Sequence, residues 1–332
     1  MGKKLVSIIL GVGAIIAIAL AIMYAIKISK VKMQMEQTLN QKMEQFAKDF
    51  TFIQSFEPFT CSGLMSVGCY SKSMLIGDEL TQFNLHDVGI DINSITQHSL
   101  KIALNVHKIE PEVNEQTQEE LDKVTLSFLP SKVQCKVALH TQGEKLDENI
   151  ACNILAHNAK YEISGGSAFL HEKFKEQNIK EILEDFYLKM LLDDELDNGY
   201  LGYKDVKYSL KDFKLTTQDK GFSKDIYTYY KLQNYPDDIP AATIKEGFEQ
   251  FATNTKQLFL IGAQLTLGDV YKDELMQFGN ALESFLLGKT HNLGLNIKRK
   301  NDKEIFIVLD DFLTNPELKT FAQNYDLEVL SH

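Results

Sequence analysis

The sequence predicts an α+β fold: an N-terminal transmembrane helix and stalk helix, followed by antiparallel β-sheet regions packed with amphipathic helices. Three observations carry this. Residues 5–26 hold no charge, residues 59–163 alternate apolar and polar side chains with a period of two, and several later segments carry apolar stripes at helical spacing.

The segment 5–26, LVSIILGVGAIIAIALAIMYAI, has 22 residues, which at ~1.5 Å each span the ~30 Å core of a bilayer. Lys3 and Lys4 before it and Ala19-Leu20-Ala21 within it also fit a cleaved signal peptide. The apolar run continues to Ile26, so an uncleaved signal-anchor is expected, with residues 1–4 as a cytoplasmic tail. Lys27, Lys30 and Lys32 balance Lys3 and Lys4, and the positive-inside count does not decide orientation. Residues 27–57 read as a stalk helix, with Leu39, Met43, Phe46, Phe50 and Ile53 on one face. So short a stripe is expected to pack on its own domain rather than to pair two stalks.

Residues 58–170 read as a β-rich lobe. Leu100, Ile102, Leu104 and Val106 alternate, as do Val124, Leu126 and Phe128, and then Ala159, Tyr161 and Ile163. Glu110 to Asp122 is acidic and reads as an exposed connection, and Gly165-Gly166 is expected to close the β region. Between these lie Cys135 and Cys152 in two alternating runs around a Gln142-Gly143-Glu144 turn. If Cys135 faces Cys152, the same register sets Val137 opposite Ile150 and Val133 opposite Ile154, placing every apolar residue on one face. Cross-strand neighbours lie ~4.5–5.5 Å apart, within reach of a disulfide. Cys61 and Cys69 flank a short loop with two glycines and form a second candidate bridge. The spacings of eight and seventeen do not suit zinc, while buried reduced thiols remain the alternative. Disulfides favour an oxidising compartment, which breaks the orientation tie and places the body in the periplasm.

Residues 171–332 read as an α+β lobe, with a boundary near 170. Ile179, Ile182, Leu183, Phe186, Tyr187, Met190 and Leu191 predict a helix over 171–192. Val206, Tyr208 and Leu210 and then Phe213 and Leu215 predict a strand whose change of parity implies a bulge. An aromatic stretch with Tyr227, Tyr229, Tyr230 and Tyr235 follows, broken by Pro236 and Pro240. Helices are expected over 243–266 and 270–287, the latter ending at Gly288. A hairpin is expected to set Leu293, Leu295 and Ile297 against Ile305, Ile307 and Leu309, and Asn315-Pro316 to start a last helix.

The net charge is -11, and Arg299 is the sole arginine among 35 basic residues, so nucleic acid is not an expected partner. Nucleophile-elbow, phosphate-loop, dinucleotide and HExxH motifs are absent from the sequence. No catalytic, cofactor-binding or metal-ligating residue is singled out, and no cofactor is expected. His107 and His140 fall on the polar parity of their strands, and His157 sits between strands. Asp193 to Gly199 resembles the start of a calcium loop, but its glycine is one place late and Lys204 stands where the acid belongs. Asp237-Asp238 and Asp310-Asp311 read as solubilising acids. The expectation is a non-enzymatic, single-pass protein of the bacterial inner membrane that binds another envelope component. A lipid or apolar-ligand carrier, using a cavity lined by some of the 20 Phe and 13 Tyr, and an enzyme of unrecognised type are the alternatives.

Overall fold

The computed structural model describes residues 32–49, 52–63, 67–77, 82–112, 128–183, 205–235, 238–267, 269–309 and 318–332. The segment 5–26 lies outside them, and no helix among the described residues is long and apolar enough to cross a membrane.

Among the described residues the strands form one 12-stranded sheet in which every pairing is antiparallel. Helix α1 (Lys32–Asp49) leads into β1 (Ile53–Phe56) and β2 (Thr60–Ser62), which share one edge of β3 (Val67–Gly77). A meander then runs through β4 (Gln82–Ile95), β5 (Ser99–Glu112), β6 (Pro130–Gln142), β7 (Lys145–Ala156), β8 (Ala159–Leu170) and β9 (Lys207–Asp219). Between β8 and β9 come a 3-10 turn (Glu172–Lys175) and the one-turn helix α2 (Ile179–Ile182), started by a capping box of Asn178 and Glu181. After β9 follow α3 (Phe222–Asn234), α4 (Ala241–Leu267) and α5 (Lys272–Leu286), then β10 (Asn292–Arg299), β11 (Ile307–Val308), α6 (Leu318–Asn324) and β12 (Tyr325–Ser331). The expected boundary near 170 falls at the end of β8, and the sheet runs through it because β8 pairs with β9 along its whole length.

The cysteine hairpin has the register derived from its pattern: Cys135 faces Cys152, Val137 faces Ile150 and Val133 faces Ile154. Gly143 turns it at φ +60, a value glycine adopts without steric cost. The bulge expected in β9 is also present. Gly166 pairs with Asp212 and Ser167 with Leu210, leaving Lys211 as the extra residue that reverses the parity.

Several expectations are corrected. The stalk helix ends at Asp49 rather than 57, and Ile53 starts β1 because Ile53–Phe56 pairs with Met74–Ile76 of β3. As expected, its stripe packs on its own body: Leu39, Met43 and Phe46 are buried in the main core. Strand β5 continues through Glu112, so the acidic connection begins later than Glu110. Phe128 lies in a turn, and residues 113–127 are outside the described set. Gly165 and Gly166 do not close the sheet but sit within β8 beside the bulge, a common place for strand glycines. The predicted helix 171–192 is a 3-10 turn and a single α turn as far as Leu183, its later residues being outside the described set.

The aromatic stretch is a helix, α3, because Tyr227 and Tyr230 lie one turn apart and pack on Phe248 of α4 with ring centroids 5.1 and 5.4 Å away. The expected hairpin of 293–297 with 305–309 does not form. β10 is flanked by β9 and β12, and β11 instead pairs with Lys207 and Tyr208 of β9 beyond the end of β10. Asn315 and Pro316 lie outside the described residues.

Candidate functional site

One face of the sheet is dry, and its side chains form rows running across the strands. The middle row begins with Cys61, Cys69, Ile90, Leu104, Cys135 and Cys152, each the registered partner of the next and each buried. Both disulfides therefore lie in this one row, Cys61 to Cys69 and Cys135 to Cys152, each with Cα atoms 4.0 Å apart. The row continues through Ile163, Leu215, Leu295 and Val329, and here burial fails. Leu215, in the sheet interior, is 38% exposed, with Ile163 and Leu295 on either side half-buried.

The covering elements explain the change. Helix α1 covers the β1–β4 end, and Phe174, Ile179, Ile182 and Leu183 join the core further along. At the far edge Ala281 and Phe285 of α5 pack with Leu293 and Val329. Leu215, Leu295, Phe213 and Ile297 belong to neither packed cluster. Gly165, in the row next to Leu215, deepens the surface: an added Cβ would lie 3.0 Å from the Asp212 carbonyl oxygen, so a side chain there would have to push the backbone of β9 aside. The three rows through Tyr161, Ile163 and Gly165 carry no charged side chain across β8, β9, β10 and β12, although Asp219 and Arg299 stand on the same face at their two ends, and burial pushes the Tyr161 phenol above its ordinary pKa, keeping it neutral. Such a surface holds apolar groups by excluding water.

The opposite, wet face has different chemistry. A hollow of about 970 Å³ is lined by Ser164, Lys214, Asn296, Lys298, Arg299 and Glu328 with the loop from Asn301 to Glu304. Asn296 donates to Glu328 at 2.8 Å, and that bond together with Lys298 holds the Glu328 carboxyl below the usual range. At its margin Lys145 bridges Glu304 at 2.6 Å and Asp147 at 3.1 Å, and Lys211 meets Asp147 at 2.6 Å. The charges are of both signs and many are paired, as on a solvated surface. A smaller hollow of about 560 Å³ lies beside Tyr227, Phe248 and Leu286.

Of the residues singled out in the sequence, the structure brings together the four cysteines and leaves none of them free. His107, His140 and His157 are exposed and lie on different elements. Asp193 to Gly199, Asp237, Asp310 and Asp311 are outside the described residues. Among the described residues no three of His, Cys, Asp and Glu gather as a metal site. Sequence reasoning placed Leu215 on a strand but missed its exposure, because periodicity assigns a side chain to a face without saying what covers that face. No protein-family model matches the chain, and no curated protein is significantly similar to it.

Proposed function

We propose that the chain is a single-pass protein of the bacterial inner membrane, anchored by residues 5–26 with its N-terminus in the cytoplasm. Its periplasmic body binds another envelope component without catalysing a reaction. The break in the covering of the dry face at Leu215 carries the binding reading. The charge-free run supports the anchor, and the two disulfides favour an oxidising compartment. The test places a photoreactive phenylalanine analogue at Leu215 or, on the other face, at Lys214 in the full chain in its membrane. An adduct at 215 and none at 214 is the expected result; no adduct at 215, or equal adducts at both, overturns the reading. Topology is tested separately by labelling an engineered cysteine in the 113–122 segment with an impermeant maleimide. Labelling in intact cells is expected, and labelling only after lysis overturns the periplasmic placement.

A second reading, in which the bound component is a lipid acyl chain or other apolar ligand, is favoured by one observation. Ile163, Leu215 and Leu295 form a continuous row across three strands with no charged side chain beside it. A lipid adduct at 215 supports this reading and a protein adduct opposes it.

A further inference from the structure

Helix α4 has 27 residues and is ~40 Å long at 1.5 Å per residue. Its first half is held on one side by Phe248 against Tyr227 and Tyr230 of α3. Its second half is held by α5, through Phe259 against Phe278 at 5.1 Å and Lys256 against Glu283 at 2.5 Å. The neighbouring side of the helix is apolar and open beyond Phe251, which forms its edge and packs on Tyr230 of α3 at 5.2 Å. Phe251 is 37% exposed, Leu258 71%, Ile261 56% and Leu265 83%, and at ~100° per residue these four fall within an arc of about 80°. Beside them, an added Cβ on Gly262 would meet nothing within 4 Å. The sequence from Gln257 to Gly268 holds no charged residue.

From this we infer that the outer half of α4 lies in the surface of the bilayer, as an interfacial contact additional to the anchor. The inference rests on the anchored reading above. Three features favour lipid over a protein partner. A bilayer surface accepts an uncharged stripe without register or specific partners, whereas Asn254 within the stripe and Thr255, Gln257 and Gln264 beside it supply no ion pairs to fix a second helix. Four partly exposed side chains fall well short of the roughly 800 Å² per partner of a stable protein interface. The chain also delivers the surface: only residues 27–31 separate the charge-free segment from α1, which is packed on the sheet, and five extended residues reach at most ~18 Å. Helix α1 covers the β1–β4 end of the sheet and α4 packs on α5 toward the β10–β12 edge, so the tether raises the local concentration of the stripe at the bilayer when the width of the sheet lies along the surface. The stretch is too short and too polar to span, so it lies in the interface. Asp269, Asp273 and Glu274 next to its end disfavour anionic headgroups, which makes a zwitterionic surface the fitting one.

The test uses the full chain, reconstituted in phosphatidylcholine vesicles with some brominated acyl chains. An environment-sensitive fluorophore is attached to Ile261→Cys or, on the side of the same helix away from the stripe, to the exposed Glu249→Cys. The four native cysteines are bridged, so only the engineered thiol reacts. The expected result is blue-shifted emission at 261, with bromine quenching several times stronger there than at 249. In the Leu258→Gln/Leu265→Gln background, the 261 probe is expected to return to water-like emission. Water-like emission at 261 in a chain that floats with the vesicles overturns the inference and leaves the anchor standing. Blue-shifted emission without bromine quenching, in a chain that sediments as a dimer, overturns it in favour of a second copy. A chain that does not float with the vesicles overturns the anchored reading and this inference together.

Discussion

Replacing Cys135 and Cys152 together by alanine tests whether the cross-strand staple in the middle row matters to the fold. The bridge closes a separation of 17 residues, and the chain-entropy treatment assigns ~3 kcal/mol to a loop of that size. The Cys61–Cys69 bridge, with a separation of 8, is assigned about 2.5 kcal/mol on the same basis. Both pairs are buried, so alanine also removes packed sulfur atoms. Reductant separates the two effects, since it opens the bridge and keeps the atoms. The assay is guanidinium unfolding of the full chain in detergent, followed by far-UV circular dichroism, with and without reductant. At a slope of ~4 kcal/mol per M, the loss of ~3 kcal/mol lowers the midpoint by about 0.7 M. The reduced protein should fall by more, because both bridges open. A midpoint unmoved by either perturbation, or free thiols in the unfolded and unreduced protein, refutes the assignment.

Two further predictions concern the wet face. An alanine Cβ at Gly89 would lie 2.4 Å from the Tyr70 ring, so Gly89→Ala must displace the ring and break its 2.5 Å hydrogen bond to Asp91. The expected cost is ~1–3 kcal/mol by denaturant unfolding, and it should vanish in a Tyr70→Ala background; a cost that persists there would show the ring is not the obstacle. For Asp147, burial works to raise the carboxyl pKa, but hydrogen bonds from Lys211 and Lys145 outweigh it and hold the group below the usual carboxylate range. A pKa depressed in the folded state gives stability that is complete above the unfolded value of ~3.9 and is lost as pH falls through the folded value. Asp147→Asn should therefore be less stable at neutral pH and lose less between pH ~5 and ~2, a convergence that unfolding curves across that range would reveal.

The parts of the fold legible in the sequence are those where a local pattern has one solution. Val133, Cys135 and Val137 against Ile150, Cys152 and Ile154 admit one register that keeps the apolar set on one face, and that register is observed. The shift from Leu210 to Phe213 marked the bulge at Lys211 for the same reason. What failed depended on competition between distant segments. The pattern of 305–309 suited a strand, but β10 was already flanked on both edges. The signal for β12 was present, since Tyr325, Leu327 and Val329 alternate, yet it abuts α6 and reads as the tail of that helix. Helix α3 was hidden by tyrosines that suit strands equally well, and packing against Phe248 and Phe251 decides the matter. The exposure of Leu215 was illegible in principle, because it depends on where α1 and α5 stop.

The middle row also shows a division of labour across a single sheet. Its two disulfides join β2 to β3 and β6 to β7, where the middle row is buried throughout and the core is continuous. From β8 onward the described strands carry no disulfide, the core thins at Leu215, and a separate small cluster under α5 holds the far edge. A long antiparallel sheet cannot be equally rigid along its width when its covering layer is interrupted, because local opening is resisted by buried apolar contact as well as by the strand ladder. The half crossed by β2 to β7 is thus a stiff frame, and the half crossed by β8 to β12 has room to adjust. A binding surface built on the adjustable half can close over an apolar partner without disturbing the frame, whereas the same gap placed among the stapled strands would have to break a packed core to admit anything. The position of the uncovered row beyond the last staple therefore agrees with the proposed binding role in a way that a gap elsewhere on the same face would not.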